Sequence, residues 1–247
     1  NHIYLNKIMT KKIEDSMLEQ AQYILDKVIG QITGFENPMN VEQFLAKYAF
    51  DVRLPSPVND SITGEVTWAQ STNPSKFITL NNARKRVDVD EFMIAPRPLN
   101  SMTDILNAWQ ETNYTSTERQ IDSIDIFECD NIYNSQNIYR SQDIHNSKHV
   151  LFSDSALTSE YIVAQQRSHN CFYCARIEDS KDCSESFNVS WSSSIVKSAF
   201  IHDCYDMFEC LFCSHLAGKK YCVANIQLTQ EQYLPIKEMV MRWILGN

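Results

Sequence analysis

Small and aliphatic residues recur at every sixth position through the second half of the chain. From Ile126 onward, and again in a register offset by three residues, 31 of 32 positions are aliphatic, serine or cysteine, with Gln165 as the exception. The position just before the first register is mostly polar or charged, as at Asn131 and Glu209. A helical period of 3.6 residues cannot keep this register, whereas a sustained six-residue period is typical of β-solenoids, also called β-helices. We therefore expect both registers to point inward.

Three hexads per coil would give coils of about 18 residues and about five coils in all. Large aliphatic residues then fill the middle, and serine fits where the interior is narrow. Asn and Asp tolerate the left-handed backbone conformation, so they can replace glycine at the bends of a chain that has only 5 Gly. The residues predicted to be buried are Ile138, Ile144, Val150, Ile177, Val189, Ile195 and Ile201.

Two helices are predicted near the start of the chain. Apolar residues recur at spacings of three and four over residues 13–32, which indicates one apolar helix face. A second helix is predicted over 40–49, because Asn40 and Gln43 have the spacing of a capping box.

A third helix and two strands complete the predicted N-terminal part. Residues 101–109 have the pattern of a capped helix, and residues 64–71 and 76–80 that of strands. Residues 54–64 are rich in turn formers and are predicted to be a loop. We interpret the basic run at 84–86 as a solvated surface.

The chain ends in a predicted amphipathic helix. Thr229 and Gln232 have capping-box spacing, and apolar residues follow at helical intervals. Because an open solenoid end needs a cover, we expect this helix to cap the solenoid. The predicted organisation is an α+β domain over 1–120, a β-solenoid over 121–228 and a capping helix over 229–247.

Composition narrows the classes of partner. The net charge of -9 disfavours binding to nucleic-acid phosphates, which needs a basic surface. We find neither an apolar run long enough to span a membrane nor the apolar segment of a signal peptide. The 8 cysteines are too few for a disulfide scaffold and are expected to be reduced. These features favour a cytoplasmic protein with a protein or peptide partner, and neither nucleic acid nor membrane.

Two Cys-x-x-Cys pairs suggest a zinc site at first sight. Cys171 with Cys174 and Cys210 with Cys213 could supply four thiolates. However, all four fall in the inward registers, where serine or cysteine is the usual residue. We interpret them as buried core thiols without a cofactor, and zinc remains the alternative.

Two outward aromatic residues are the candidate contact residues. Tyr173 and Trp191 are 18 residues apart, so they would stack in coils of that length. Exposed aromatic side chains on a flat sheet are frequent binding residues. With Arg167 they form the predicted binding set. Coverage of the two rings by the N-terminal domain is the alternative.

The C-terminal part resembles a known group of proteins. Residues 209–233, ECLFCSHLAGKKYCVANIQLTQEQY, resemble the ending of uncharacterised cysteine-rich β-helical repeat proteins from small-genome and environmental bacteria. The shared residues are Cys210, Cys213, Lys219, Lys220, Tyr221, Cys222, Asn225, Gln227 and Tyr233. Residues 180–187, SKDCSESF, also resemble those repeats. The resemblance does not extend to the first 120 residues, and it implies a solenoid but no activity.

These observations favour a non-enzymatic scaffold or a protein- or peptide-binding module. The alternative is a subunit of a peptide-modifying enzyme complex with zinc in the Cys-x-x-Cys pairs. Hexapeptide acyltransferases share the six-residue period, but we find no donor-binding loop. A DNA-mimicking inhibitor would fit an acidic rod, yet the predicted faces carry both signs of charge. We assign no catalytic residue, because adjacent residues in the sequence His202-Asp203-Cys204 point to opposite sides of a strand.

Overall fold

The computed structural model describes residues 2–73 and 76–246, without the side chains of 2–11 and 13. Its helices are α1 (His2–Thr33), α2 (Val41–Tyr48), α3 (Leu80–Val87), α4 (Met102–Thr112) and α5 (Gln230–Leu245). Strands β1 (Ser56–Asn59) and β2 (Val66–Ala69) pair antiparallel, and β3 (Phe77–Thr79) and β4 (Thr115–Thr117) pair in parallel. Among the described residues, no helix combines the length and apolar character needed to cross a bilayer.

The predicted starts of α2, α4 and α5 are confirmed by their caps, whereas α1 begins at His2 and not at residue 13. In α2 the Asn40 side chain accepts a hydrogen bond from the Gln43 backbone N–H at 2.8 Å, and the Gln43 side chain accepts one from the Asn40 N–H at 2.9 Å. Thr229 and Gln232 form the same capping box at α5. Helix α3 includes the basic run at 84–86. The sequence does not predict this helix, because LNNARKRV has too few apolar residues to show a helical period. Strand β1 lies in the predicted loop.

The solenoid is confirmed, but its coils are shorter than predicted. Parallel neighbours pair each residue with the one twelve positions later, as Ile138 pairs with Val150 and Val150 with Ile162. A coil is therefore two hexads and not three, which gives about 9 turns over residues 120–223 instead of about five. The turn spacing of about 4.8 Å makes the solenoid roughly 40 Å long.

The solenoid sheet contains seventeen of the strands assigned among the described residues. In chain order they are β5 (Gln120–Ile121), β6 (Ile124–Phe127), β7 (Asp130–Tyr133), β8 (Gln136–Tyr139), β9 (Gln142–His145), β10 (Lys148–Leu151), β11 (Asp154–Leu157), β12 (Glu160–His169), β13 (Phe172–Glu178), β14 (Lys181–Ser184), β15 (Phe187–Ser190), β16 (Ser193–Val196), β17 (Ala199–His202), β18 (Tyr205–Phe208), β19 (Leu211–Ser214), β20 (Cys222–Val223) and β21 (Ile226–Gln227). All pair in parallel except β20 with β21, which are antiparallel.

A left-handed backbone conformation recurs at every third residue of the coils. Asn131, Asn134 and Asn137, for example, have φ values of 67°, 47° and 58°. Each turn therefore has four inward positions and four outward faces. Asn and Asp occupy many of these bends, as expected, but larger residues do so too, including Tyr173 and Trp191 with φ of 50° and 48°.

The predicted core residues are confirmed as buried. All seven aliphatic residues named above are at most 1% exposed. Large and small residues alternate around a turn, as in the run Ser135, Ile138, Ser141 and Ile144. Opposite walls of a turn therefore contribute similar volumes, which keeps the narrow interior filled.

The inward serines have a hydrogen-bonding role beyond their small size. The Ser147 hydroxyl donates to the His145 carbonyl at 2.8 Å and accepts the Ser159 backbone N–H at 3.1 Å. The same pair of bonds recurs at other inward serines, each linking a turn to the residue twelve positions later. Buried backbone groups that lack a partner are costly, so the hydroxyls satisfy part of the ladder.

One outward face of the solenoid packs against helices. Its residues repeat every twelve positions and are apolar: Phe127, Tyr139, Leu151, Val163, Ala175, Phe187, Ala199, Leu211 and Val223. Helices α1, α2 and α5 cover them, and the Tyr48 ring lies edge-on to Phe187 at 5.0 Å between centroids. Helix α5 begins at the last turn, where buried Tyr233 packs on Tyr221, and continues against α1.

Candidate binding site

A single outward column carries two of the three predicted binding residues. With twelve residues per turn, the residues that stack are Asn131, Asp143, Ser155, Arg167, Asp179, Trp191, Asp203 and His215, which we call the Trp191 column. Hydrogen bonds link neighbouring turns at both ends of it, from Asn131 to Asp143 at 2.7 Å and from His215 to Asp203 at 2.8 Å. The column is therefore mostly polar, and Trp191 is its one large aromatic side chain.

Arg167 and Asp179 fix the orientation of Trp191. Both carboxylate oxygens of Asp179 accept hydrogen bonds from Arg167 at 2.8 Å. One of them also accepts the Trp191 indole N–H at 3.2 Å. The hydrogen bond from Arg167 lowers the pKa of Asp179, with a further contribution from Trp191, so the acceptor is ionised at neutral pH. The indole is thus held at its polar edge while 56% of Trp191 stays exposed.

Beside this column lies a shallow groove of about 360 Å³. Its second wall is the neighbouring outward column, and its floor is formed by inward serines. The lining residues are Arg167, Asp179 and Trp191 on one wall, His169, Lys181, Ser193 and Tyr205 on the other, and Ser180 and Ser192 in the floor.

The second wall contains a gap opposite the indole. Ser193 stands between Lys181 and Tyr205 in the stack, and its short side chain leaves space above it. Tyr205 is 50% exposed, so two large aromatic side chains border the gap. Lys181 is exposed, and among the described residues it takes part in none of the ion pairs. The groove therefore offers an apolar niche next to an unneutralised cation.

The outward column that flanks the Trp191 column on the side away from the groove is covered in its first turns by the N-terminal part of the chain. Asp130 is 2% exposed and accepts hydrogen bonds from Arg119 at 2.9 Å and from the Gln70 backbone N–H at 2.8 Å. Asp154 is also buried, and desolvation raises its pKa. The next residue of this column, Gln166, is only half-buried. The cover on this column therefore ends near the turn in which the groove begins on the other side.

Tyr173 lies on a different face from Trp191, because the coil has 12 residues and not 18. The two positions are one and a half turns apart, which places them on opposite sides of the solenoid. Tyr173 is half-buried and stacks on Tyr161 at 4.7 Å between ring centroids. The structure brings together Arg167 and Trp191, but it does not bring Tyr173 to them.

The two Cys-x-x-Cys pairs are also far apart. Cys174 and Cys210 occupy the same inward column with two serines between them, a separation of three turns, or roughly 14 Å. Zinc–sulfur bonds are about 2.3 Å, so one ion cannot bind both pairs in this fold. Among the described residues, no group of three or more His, Cys, Asp or Glu side chains is arranged to hold a metal ion.

The cysteines behave as substitutes for the inward serines. The Cys174 thiol donates a hydrogen bond to the Phe172 carbonyl at 3.3 Å. The inward serines make the same hydrogen bond to the carbonyl two positions earlier. Burial raises the pKa of Cys129 to about 12 and that of Cys174 well above its usual value. In the contacting pair of Cys210 and Cys213, hydrogen bonding lowers the pKa of Cys213 to about 7, yet that thiol is 1% exposed.

His202, Asp203 and Cys204 do not form a catalytic group. The Cys204 thiol points inward and donates to the His202 carbonyl at 3.3 Å. The His202 ring is exposed and bonds to the Ser190 hydroxyl at 2.9 Å, while Asp203 binds His215. The imidazole and the thiol therefore lie on different sides of the coil wall.

We expect the purified protein to contain no stoichiometric zinc, because the two Cys-x-x-Cys pairs are too far apart to bind one ion. Elemental analysis of the whole chain checks this expectation. About one zinc per chain, lost in Cys171→Ser or Cys210→Ser, would show that the thiols are ligands and not core residues.

Comparison with known proteins gives no further assignment. No family model, no curated protein and no solved structure matches the chain. Its function must be inferred from the residues of the groove.

Proposed function

We propose that the protein is a non-enzymatic binding module that captures a protein or peptide segment in the groove beside the Trp191 column. The observation that carries the proposal is the exposed indole of Trp191, whose N–H donates a hydrogen bond to Asp179 at 3.2 Å. Binding energy at interfaces is concentrated in a few Trp, Tyr and Arg side chains held in place before the partner arrives. Trp191, Tyr205 and Arg167 provide that set on one open face.

The chemistry of the groove describes the segment that it would accept. An aromatic or aliphatic side chain fits the gap above Ser193, where it contacts Trp191 and Tyr205. An adjacent carboxylate would neutralise Lys181, which lacks an ion-pair partner among the described residues. We therefore expect the bound segment to carry an apolar residue beside Asp or Glu.

Peptides selected against the full chain test this proposal. We expect peptides from a random displayed library to lose about 30-fold or more in affinity on Trp191→Ala, which corresponds to a hot-spot loss of about 2 kcal/mol. Affinities measured by titration calorimetry for wild type and variant give the ratio. Peptides that bind Trp191→Ala as tightly as wild type would mean that the groove is not the binding surface.

Phe172→Ala is the matched control. The exposed fraction of Phe172, 45%, is similar to the 56% of Trp191, but Phe172 lies on the opposite side of the solenoid. We expect its replacement to leave the affinities unchanged. Tyr205→Ala should weaken binding, because Tyr205 borders the same gap as Trp191.

A further inference from the structure

The segment between β3 and β4, residues 80–114, contains no buried residue, although all of it is described. We call this segment the arm. It includes helices α3 and α4, neither of which buries a side chain. By contrast, α2 buries Val41 and Phe44, and α5 buries five residues. The arm is thus ordered secondary structure without a core of its own.

Helix α4 has a complete start signal and an unpartnered apolar stripe. Ser101 and Asp104 form a capping box, with the Asp104 N–H donating to the Ser101 hydroxyl at 3.2 Å. The stripe consists of Met102, Ile105, Leu106 and Trp109, which are 66%, 42%, 46% and 56% exposed. Helices of this length gain most of their stability from packing such a stripe against another surface.

The rest of the arm enlarges the apolar surface. Residues 92–100 run antiparallel along α4, since Phe92 contacts Tyr114 at 5.8 Å and Arg97 bonds Glu111 at 2.8 Å. The exposed large apolar residues of the arm number eight: Val87, Val89, Met93, Leu99, Met102, Ile105, Leu106 and Trp109. At on the order of 100 Å² each, they match the roughly 800 Å² that each partner buries in a standard interface.

The charge of the arm indicates which partner fits this surface. The arm has four basic and five acidic side chains, a net of -1, whereas the whole chain has a net of -9. Two copies therefore approach through their arms with less repulsion than through the rest of their surfaces. A lipid surface fits poorly, because α4 has two acidic residues and no Lys or Arg, and interfacial helices carry a basic polar face.

We infer that the arm is a self-association surface and that two copies of the chain pair through α4 across a twofold axis. An isologous contact places the stripe of one α4 on the same stripe of the other, so each apolar residue meets an apolar residue. This dimer leaves the groove beside Trp191 free, and it does not depend on partner binding there.

Sedimentation velocity of the full chain over a wide concentration range tests the inference. We expect twice the chain mass at high concentration and dissociation on dilution. Replacement of the stripe, Ile105→Asp with Trp109→Asp, should give a monomer at every concentration. Because neither side chain is buried, the variant should keep the circular dichroism spectrum of the wild type.

Met239→Asp on α5 is the control, since Met239 is 62% exposed and lies outside the arm. It should still dimerise.

Hydrogen exchange of the wild type supplies a measurement that needs no variant: amide protection over 101–112 should rise with concentration. A wild type that is monomeric throughout, or a stripe variant that stays dimeric, overturns the inference.

Discussion

Replacing Ile195 with Ala is expected to lower the free energy of unfolding by about 2–5 kcal/mol. Ile195 is fully buried in the inward register, where it stacks between Cys183 and Met207 of the neighbouring turns. The parallel ladders on both sides prevent the walls from closing in, so a cavity remains after truncation. Urea denaturation of wild type and variant measures the difference.

Val196→Ala serves as the control for this truncation. Val196 is the next residue, points outward and is only half-buried. We expect a loss of less than about 1 kcal/mol, as at most surface positions. A loss at Val196 equal to that at Ile195 would contradict the inward and outward assignment of the two residues.

Ser192→Ala is expected to lower the free energy of unfolding by about 1–3 kcal/mol, although it removes a single oxygen atom. The Ser192 hydroxyl donates to the Ser190 carbonyl at 2.7 Å and accepts the Cys204 backbone N–H at 3.0 Å. The substitution leaves the Cys204 N–H without a partner inside the solenoid wall, while the Ser190 carbonyl keeps the hydrogen bond from the Asp203 backbone N–H at 3.1 Å. Urea denaturation again provides the measurement.

Two further variants separate the hydrogen bonds from the packing. Ser192→Cys should lose less than Ser192→Ala, since the Cys204 thiol already bonds to the carbonyl two positions earlier. Ser194→Ala should be close to neutral, because Ser194 is half-exposed on an outward face. If Ser192→Ala is as stable as wild type, the serine period reflects size alone.

The six-residue register was sufficient to predict the solenoid and its core, but it did not predict the coil length. The hexads have similar inward residues, since every inward position except Gln165 is small or aliphatic whichever turn it belongs to. The signal that distinguishes two hexads from three is on the outside. Apolar residues recur every twelve positions at Tyr139, Leu151 and Val163, because one face in four is covered by helices.

This coil length also decides how much of the candidate site was predictable. Trp191 and Arg167 were identified as outward residues, and the structure places them in one column. Tyr173 was grouped with them through the 18-residue coil, and it lies on the opposite side. Asp179, which links Arg167 to Trp191, falls outside the predicted set, because an 18-residue coil stacks it with neither of them. Which residues stack on one another depends on the number of residues per turn, and the six-residue period alone does not give that number.

Cross-linking of engineered cysteines on the surface tests the twelve-residue coil most directly. Asn170 and Asp182 are stacked in neighbouring turns, with the Asn170 side chain donating to Asp182 at 3.1 Å. Stacked residues about 4.8 Å apart fall within the Cα separation that a disulfide spans, whereas residues on opposite sides do not. With Asn170→Cys and Asp182→Cys, mild oxidation of the folded protein should close a disulfide. Asn170→Cys with Asn188→Cys, which an 18-residue coil would stack, should stay reduced. A disulfide in the second pair and not in the first would contradict the twelve-residue coil and the site built on it.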